Sequence, residues 1–259
     1  MTNGKAKRAL IVNADDFGQS FGVNRGIMEA HERGIVTSAS LMVRWPAARE
    51  AAAYAKKHPR LSLGLHFDYG EWGCRNGNWT KLYEVVSEED LEAVRREASR
   101  QLAAFRRLVG KDPSHLDSHQ HLHLREPIRS IFVDLAEKLR VPLRRCSPQV
   151  HYCGSFYGQD ENGRPLRGFI SITALMKLLT DLKPGFTELG CHPGYADDLD
   201  SMYRCERVRE LQTLCHPRIQ AAIERMGIEL CSFRCAANRA ATVRERTQVS
   251  STGCGRSRE

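Results

Sequence analysis

Four short stretches of this chain place metal-capable side chains at the ends of apolar, strand-like runs. Asp15 and Asp16 follow the run 8–14, within Asn13-Ala14-Asp15-Asp16-Phe17-Gly18. His66 ends Gly64-Leu65-His66 near the close of 61–67. Asp117-Ser118-His119-Gln120-His121-Leu122-His123 closes and follows 114–118, and Cys191-His192-Pro193-Gly194 does the same for 185–191. In parallel α/β folds the carboxyl ends of the strands share one face, and that face carries the site. Groups as distant in sequence as Asp15 and His192 are therefore expected to converge. One or two carboxylates with two imidazoles make a mixed oxygen/nitrogen metal site that leaves room for water and substrate. Such a metal polarises a carbonyl and acidifies water. A second carboxylate beside the ligand can take a proton from that water, and a further histidine can protonate a departing amine. The adjacent pair Asp15 and Asp16 suits this division of labour.

Each stretch also has a purely structural reading. Asp15-Asp16 before Phe17-Gly18 fits a turn capping a helix that begins near Val23. His66 fits a hydrogen-bonded core histidine, and His192 before Pro193 fits a strand end. The cluster His119, His121 and His123 has fewer structural uses. If 119–123 is extended, its imidazoles share one side; in a helical turn only His119 and His123 share a face.

The elements that must position these groups alternate along the chain. Apolar, β-branched runs at 8–14, 35–43, 61–67, 114–118, 141–146, 185–191 and 228–233 read as strands. Helical patterns separate most of them. The clearest is 88–109, where Leu91, Val94, Ala98, Leu102, Phe105 and Val109 form one stripe. A second stripe runs through 126–139, and a third segment, 202–226, is broken by Pro217. About seven strands alternating with helices predict an α/β fold with parallel pairing, closed as a barrel or open as a doubly wound sheet. Segments 68–87 and 147–172 fit neither element and read as long substrate-binding loops. The expected organisation is one catalytic domain over 1–237 and a polar, disordered tail over 238–259.

Composition narrows the function classes. The chain has 259 residues, 41% of them apolar, and no run long enough to span a membrane. The start MTNGKAKRALIVNADD lacks the long apolar stretch of a signal peptide, so the expected location is cytoplasmic. Nine cysteines without a paired framework read as free thiols, Cys231 and Cys235 included. The net charge of +8 sits mostly at the two ends, residues 1–8 and 239–259, leaving a nearly neutral body. That distribution argues for solvated tails rather than a nucleic-acid groove.

Taken in order, NADDFG, GIVTSASLM at 34–42, GLH at 64–66, HLDSHQHLH at 115–123 and CHPG at 191–194 resemble the YdjC-like carbohydrate deacetylases. That family includes chitooligosaccharide deacetylase and deacetylase-like proteins of hopanoid biosynthesis. The resemblance covers residues 8–235 and implies a distorted (β/α) barrel like that of the polysaccharide deacetylases. It implies one divalent metal, Mg2+ or Zn2+, held by Asp16, His66 and His119. It further implies Asp15 as base and His192 as the acid that protonates the sugar nitrogen or as a group that helps hold the oxyanion, with an N-acetylated sugar or oligosaccharide as substrate. Gln120 stands where some members carry histidine, and 71–83 and 151–165 match no motif of the family. Trp72, Trp79, Tyr152 and Tyr157 either stack on sugar faces or anchor the long loops that carry them. A homodimer is compatible with the sequence. The alternatives are a metal-dependent amidase or phosphoesterase on a non-sugar substrate and, outside enzymes, a nucleic-acid-binding protein with a relict site. The motif segments offer no cation other than Arg125, which argues against phosphoester chemistry.

Overall fold

The computed structural model describes residues 7–75, 77–195, 197–237 and 239. The expected tail, 238–259, therefore lies outside the described residues except for Arg239. Six segments alternate strand and helix at the start: β1 (Arg8–Phe17), α1 (Phe21–Glu32), β2 (Ser38–Leu41), α2 (Ala48–Lys57), β3 (Ser62–Phe67) and, after a hairpin, α3 (Leu91–Val109). The hairpin is β4 (Gly70–Arg75) with β5 (Asn78–Glu84). Then come β6 (Leu116–Ser118), α4 (Arg129–Leu139), β7 (Val150–Cys153), α5 (Ile172–Thr180), β8 (Gly185–Cys191), α6 (Arg204–Leu214), α7 (Pro217–Arg225) and β9 (Glu229–Leu230).

The main sheet runs β6-β3-β2-β1-β8-β7, with β9 beside the start of β1, and every pairing in it is parallel. This is the expected seven-stranded distorted barrel. Among the described residues its two outer strands, β6 and β7, do not pair with each other, so it stays open. Strand alternation divides the chemistry. On β1, Leu10, Val12 and Ala14 enter the large apolar cluster, while Asn13 and Asp15 face a polar interior. Ser40 of β2, His66 of β3, Asp117 of β6 and Glu188 of β8 join that interior.

Caps explain the helix ends. Asp90 accepts from Ala93 N at the start of α3, and Gly110 ends it at φ 83°. Pro217 divides the expected helix 202–226 by taking the first turn of α7, where its missing N–H is harmless.

Three expectations need correction. Residues 141–146 are not a strand: only Leu143 makes a bridge, to Leu116, and the strand forms at 150–153. There Arg144 is drawn into the interior and Arg145 turns to φ 60°, which ends any extended run. The stretch 68–87 is not an unstructured loop but contains the β4–β5 hairpin. Almost every residue of β5 is exposed, so no apolar alternation marks it, although Asn76-Gly77 is a hairpin turn signal. Strand 228–233 shrinks to Glu229–Leu230.

Candidate metal and catalytic site

The carboxyl ends of β1, β3, β6 and β8 bring the polar stretches together. Asp16 ends the regular part of β1 at φ 65°, a left-handed conformation rare for a residue with a side chain, which turns its carboxylate toward β3 and β6. His66 Nε2 lies 3.3 Å from Asp16 Oδ1, and His119 Nδ1 lies 3.2 Å from the same oxygen. Ligand atoms of the three residues all fall within 4.8 Å of one another. Asp16 Oδ1 is buried and accepts no hydrogen bond, despite two imidazole nitrogens facing it. Two imidazole nitrogens facing one orphaned carboxylate oxygen give three lone-pair donors, the arrangement a divalent cation satisfies.

The neighbouring groups hold these ligands in place. His66 Nδ1–H donates to Asp117 Oδ1 at 2.8 Å, which leaves Nε2 to face Asp16. Arg207 Nη2 donates to Asp16 Oδ2 at 2.6 Å. Burial would raise the Asp16 carboxyl, but the Arg207 charge and the contacts from His119 and His66 outweigh it, so Asp16 sits well below the usual carboxylate range. A second grouping, Asp15, His66 and Asp117, is also compact. Arg144 already occupies it as a cation, with Nη2 2.9 Å from Asp117 and both terminal nitrogens on Asp15. That grouping is an ion-pair network rather than a metal site.

Asp15 and His192 stand beside the ligand cluster. Burial favours the neutral form of Asp15, and the Arg144 charge and hydrogen bonds reverse this, leaving it ionised. His192 Nε2 is 3.8 Å from Asp15 Oδ2. Burial lowers the imidazole to about 4, only partly opposed by Asp15 and Asp16, so His192 is neutral near pH 7. Its main-chain N–H donates to Glu210 Oε2, and Tyr203 OH donates to Glu210 Oε1 at 2.6 Å. Burial pushes Glu210 up to about 8 and Glu188 up to about 7.

The histidine cluster separates by role. Residues 119–124 form a 3-10 turn in which Gln120 and His121 adopt φ of 48° and 55°, so neither the extended nor the helical expectation holds. His119 faces Asp16. His121 borders the cavity and packs edge-on to Tyr152, with ring centres 5.6 Å apart. His123 is fully buried, bonded to Ser118 and to the Arg144 carbonyl, and is structural.

A cavity of ≈ 800 Å³ opens above the cluster, and Trp72, Trp79, Tyr152 and Tyr157 all line it. Tyr157 stacks on Tyr203 and meets His192 edge-on at 5.5 Å. Both segments that match no family motif thus contribute to one wall: Trp79 Nε1 donates to Glu161 O at 3.1 Å.

The sequence did not reveal Arg144, Arg207, Glu188 or Glu210. A lone glutamate in the apolar run GFTELGC and charged residues on the buried face of α6 were the available signals. The motif segments hold no cation but Arg125, yet Arg144 and Arg207, from outside them, lie within the site; Arg125 lines the cavity and pairs with Glu88 at 2.8 Å. All eight described cysteines are free.

Comparison with known proteins shows the family and the fold. A family model described as YdjC-like protein matches residues 9–225. The carbohydrate deacetylase of Geobacillus stearothermophilus is 36% identical over 248 residues, spanning 88% of this chain and 97% of that protein. The chitooligosaccharide deacetylase of Serratia marcescens is 32% identical over 264 residues, spanning 88% and 99%. Among solved structures, the family 4 carbohydrate esterase from Streptomyces lividans superposes with a TM-score of 0.52 at 14% identity, covering 88% of this chain and 93% of that one, which is a likeness of fold.

Proposed function

The chain belongs to the YdjC-like family, and from that premise we propose that it is a metal-dependent hydrolase removing an N-acetyl group from an amino sugar or a glycan that carries one. Relatives named carbohydrate deacetylase and chitooligosaccharide deacetylase support the reaction class. The observation that carries the reading is the convergence of His66 and His119 on the unsatisfied Asp16 Oδ1, beside an ionised Asp15 and a neutral His192.

In this reading Asp16, His66 and His119 hold one divalent ion, and the mixed donor set suits Mg2+ or Zn2+. When bound, the ion supplies Lewis acidity to the acyl oxygen and to the attacking water. The chain's own groups do the rest. Arg144 keeps Asp15 ionised and fixed, so that Asp15 accepts the proton of the water whose oxygen adds to the acyl carbon. His192 starts neutral, so the proton it gives the sugar nitrogen is one released in the reaction, and Asp15 lies 3.8 Å away to supply it. The C–N bond breaks, the amine leaves carrying that proton, and the acetic acid formed loses its own proton to solvent to give acetate. Glu210 and Tyr203 hold His192 in position, and the cavity aromatics stack on the sugar.

A phosphoester substrate would call on free cations. The two cations beside the ligand cluster, Arg144 and Arg207, each already pair with a carboxylate at 2.6 Å, which favours a neutral acyl group there, while Arg125 and Arg145 also line the cavity. The catalytic unit is taken as residues 1–237, acting without nucleic acid. No helix among the described residues is long and apolar enough to cross a membrane.

The test is acetate release from N-acetylglucosamine oligomers and from non-sugar N-acetyl amines, each with chelator and with added metal. Release from the sugars, lost with chelator and restored by metal, is expected. No release from any N-acetyl sugar by metal-loaded protein would overturn the reading.

A further inference from the structure

The two histidines that face Asp16 differ in how their far nitrogens are held. His66 has Nδ1 on Asp117 at 2.8 Å. His119 turns Nδ1 toward Asp16, so its far nitrogen is Nε2, and that atom is buried without a hydrogen-bond partner. Facing it is Glu71, whose Oε2 lies 4.0 Å away. Glu71 comes from the β4–β5 hairpin, outside the parallel sheet.

The residue after Glu71 is gripped from the histidine turn. Trp72 N–H donates to Gln120 Oε1 at 2.9 Å, and Gln120 Nε2 donates to Trp72 O at 2.8 Å. Of the side chains, only an amide sets a donor and an acceptor side by side in this way. Gln120 makes the grip from a left-handed backbone, φ 48°, a conformation that persists only where the surroundings hold it. One strained turn therefore faces the ligand cluster with His119 and the hairpin with Gln120.

We infer that Glu71 is the positioning carboxylate of His119, and that Gln120 pins the hairpin so that Glu71 keeps this place. For Nδ1 to offer a lone pair, the proton of His119 must sit on Nε2, and a buried N–H needs an acceptor. A carboxylate there fixes the tautomer and strengthens the ligand, as Asp117 does for His66. The gap of 4.0 Å exceeds a hydrogen bond by roughly 1 Å, so the Glu71 side chain must turn by that much to accept from Nε2. The same hairpin carries Trp72 and Trp79 into the cavity wall and is held at its far end by Cys74 Sγ donating to Asn162 O at 3.1 Å. The segment that meets the sugar thus also steadies a metal ligand.

This rests on the ligand assignment proposed above, and the test separates the two. Zn2+ affinity is measured by competition with a chelating dye for the full chain and for Glu71→Ala, Glu71→Gln, Gln120→Ala, the double variant Glu71→Ala/Gln120→Ala and His119→Ala. Thermal unfolding without metal checks that each is folded. Glu71→Ala should weaken Zn2+ binding about 10–100-fold, with unfolding unchanged. Glu71→Gln, which keeps an acceptor oxygen, should weaken it less. Gln120→Ala should also weaken binding, and the double variant should bind no worse than Glu71→Ala alone. Wild-type affinity in both Glu71 variants, with loss in His119→Ala, overturns the inference and leaves the ligand assignment standing. Additive losses in the double variant overturn the role of Gln120. Retention of Zn2+ by His119→Ala overturns the ligand assignment and this inference with it.

Discussion

Arg144 holds Asp15 by both terminal nitrogens, Nη1 on Oδ2 at 2.6 Å and Nη2 on Oδ1 at 2.7 Å. The two residues are 129 positions apart, and Arg144 is buried along its whole length. Its Nε reaches Glu188 at 2.7 Å, and its guanidinium lies 5.1 Å from the ring centre of Tyr152. A planar fork matched to a carboxylate in this way fixes the orientation of the acceptor as well as its charge.

Arg144→Lys keeps a cation and loses the fork. It is expected to lower kcat about 10²-fold, the scale set by a misplacement of about 1 Å in a catalytic group, while Zn2+ binding is retained. Steady-state kinetics with metal analysis of the same preparation checks this. Unchanged kcat would show that Asp15 does not depend on the fork.

His192→Asn should reduce kcat about 10²–10⁴-fold, the range of general acid–base catalysis, with KM near its original value and metal content intact. Substrates bearing a better amine leaving group should recover part of the loss, because they depend less on protonation at nitrogen. Equal losses for good and poor leaving groups would contradict the role of His192 as acid.

The chemistry was legible in the sequence wherever it depended on residue type at a strand end. Asp15, Asp16, His66, His119 and His192 all lie where the polar stretches after apolar runs put them, because a parallel sheet delivers its carboxyl ends to one face. The groups that set their charge were not legible. Arg144 falls in what reads as a strand, and its partners Asp15 and Glu188 become neighbours only once β1 and β8 pair. Arg207 and Glu210 lie on α6, whose buried face is charged and so shows no apolar stripe. The β4–β5 hairpin was hidden for a similar reason, since its exposed strand carries no alternation. His121 and His123 could not be separated by spacing, because the turn that separates them uses left-handed backbone at Gln120 and His121.

Glu210 makes stability without metal depend on pH. Its folded value of about 8 lies above the ordinary 4.5 because burial disfavours the charged form. The folded protein therefore binds that proton more tightly than the unfolded chain. The contribution is fully present below about pH 4.5 and is lost as pH rises through about 8. Asp15 and Asp16, shifted downward, act in the opposite sense and only as pH falls below their ordinary 3.8. Urea unfolding of the metal-free protein should show wild type losing stability relative to Glu210→Gln between pH 5 and pH 8, by on the order of a few kcal/mol. The same pH dependence in both proteins would place the titration elsewhere.

The division of labour between Asp15 and Asp16 is the centre of the account, and one paired measurement addresses it. Zn2+ content and acetate release from N-acetylglucosamine oligomers are measured for Asp15→Asn and Asp16→Ala. Asp15→Asn should keep the metal and lose turnover about 10²–10⁴-fold, whereas Asp16→Ala should lose both. Metal retained by Asp16→Ala, or near-normal turnover in Asp15→Asn, would contradict the account.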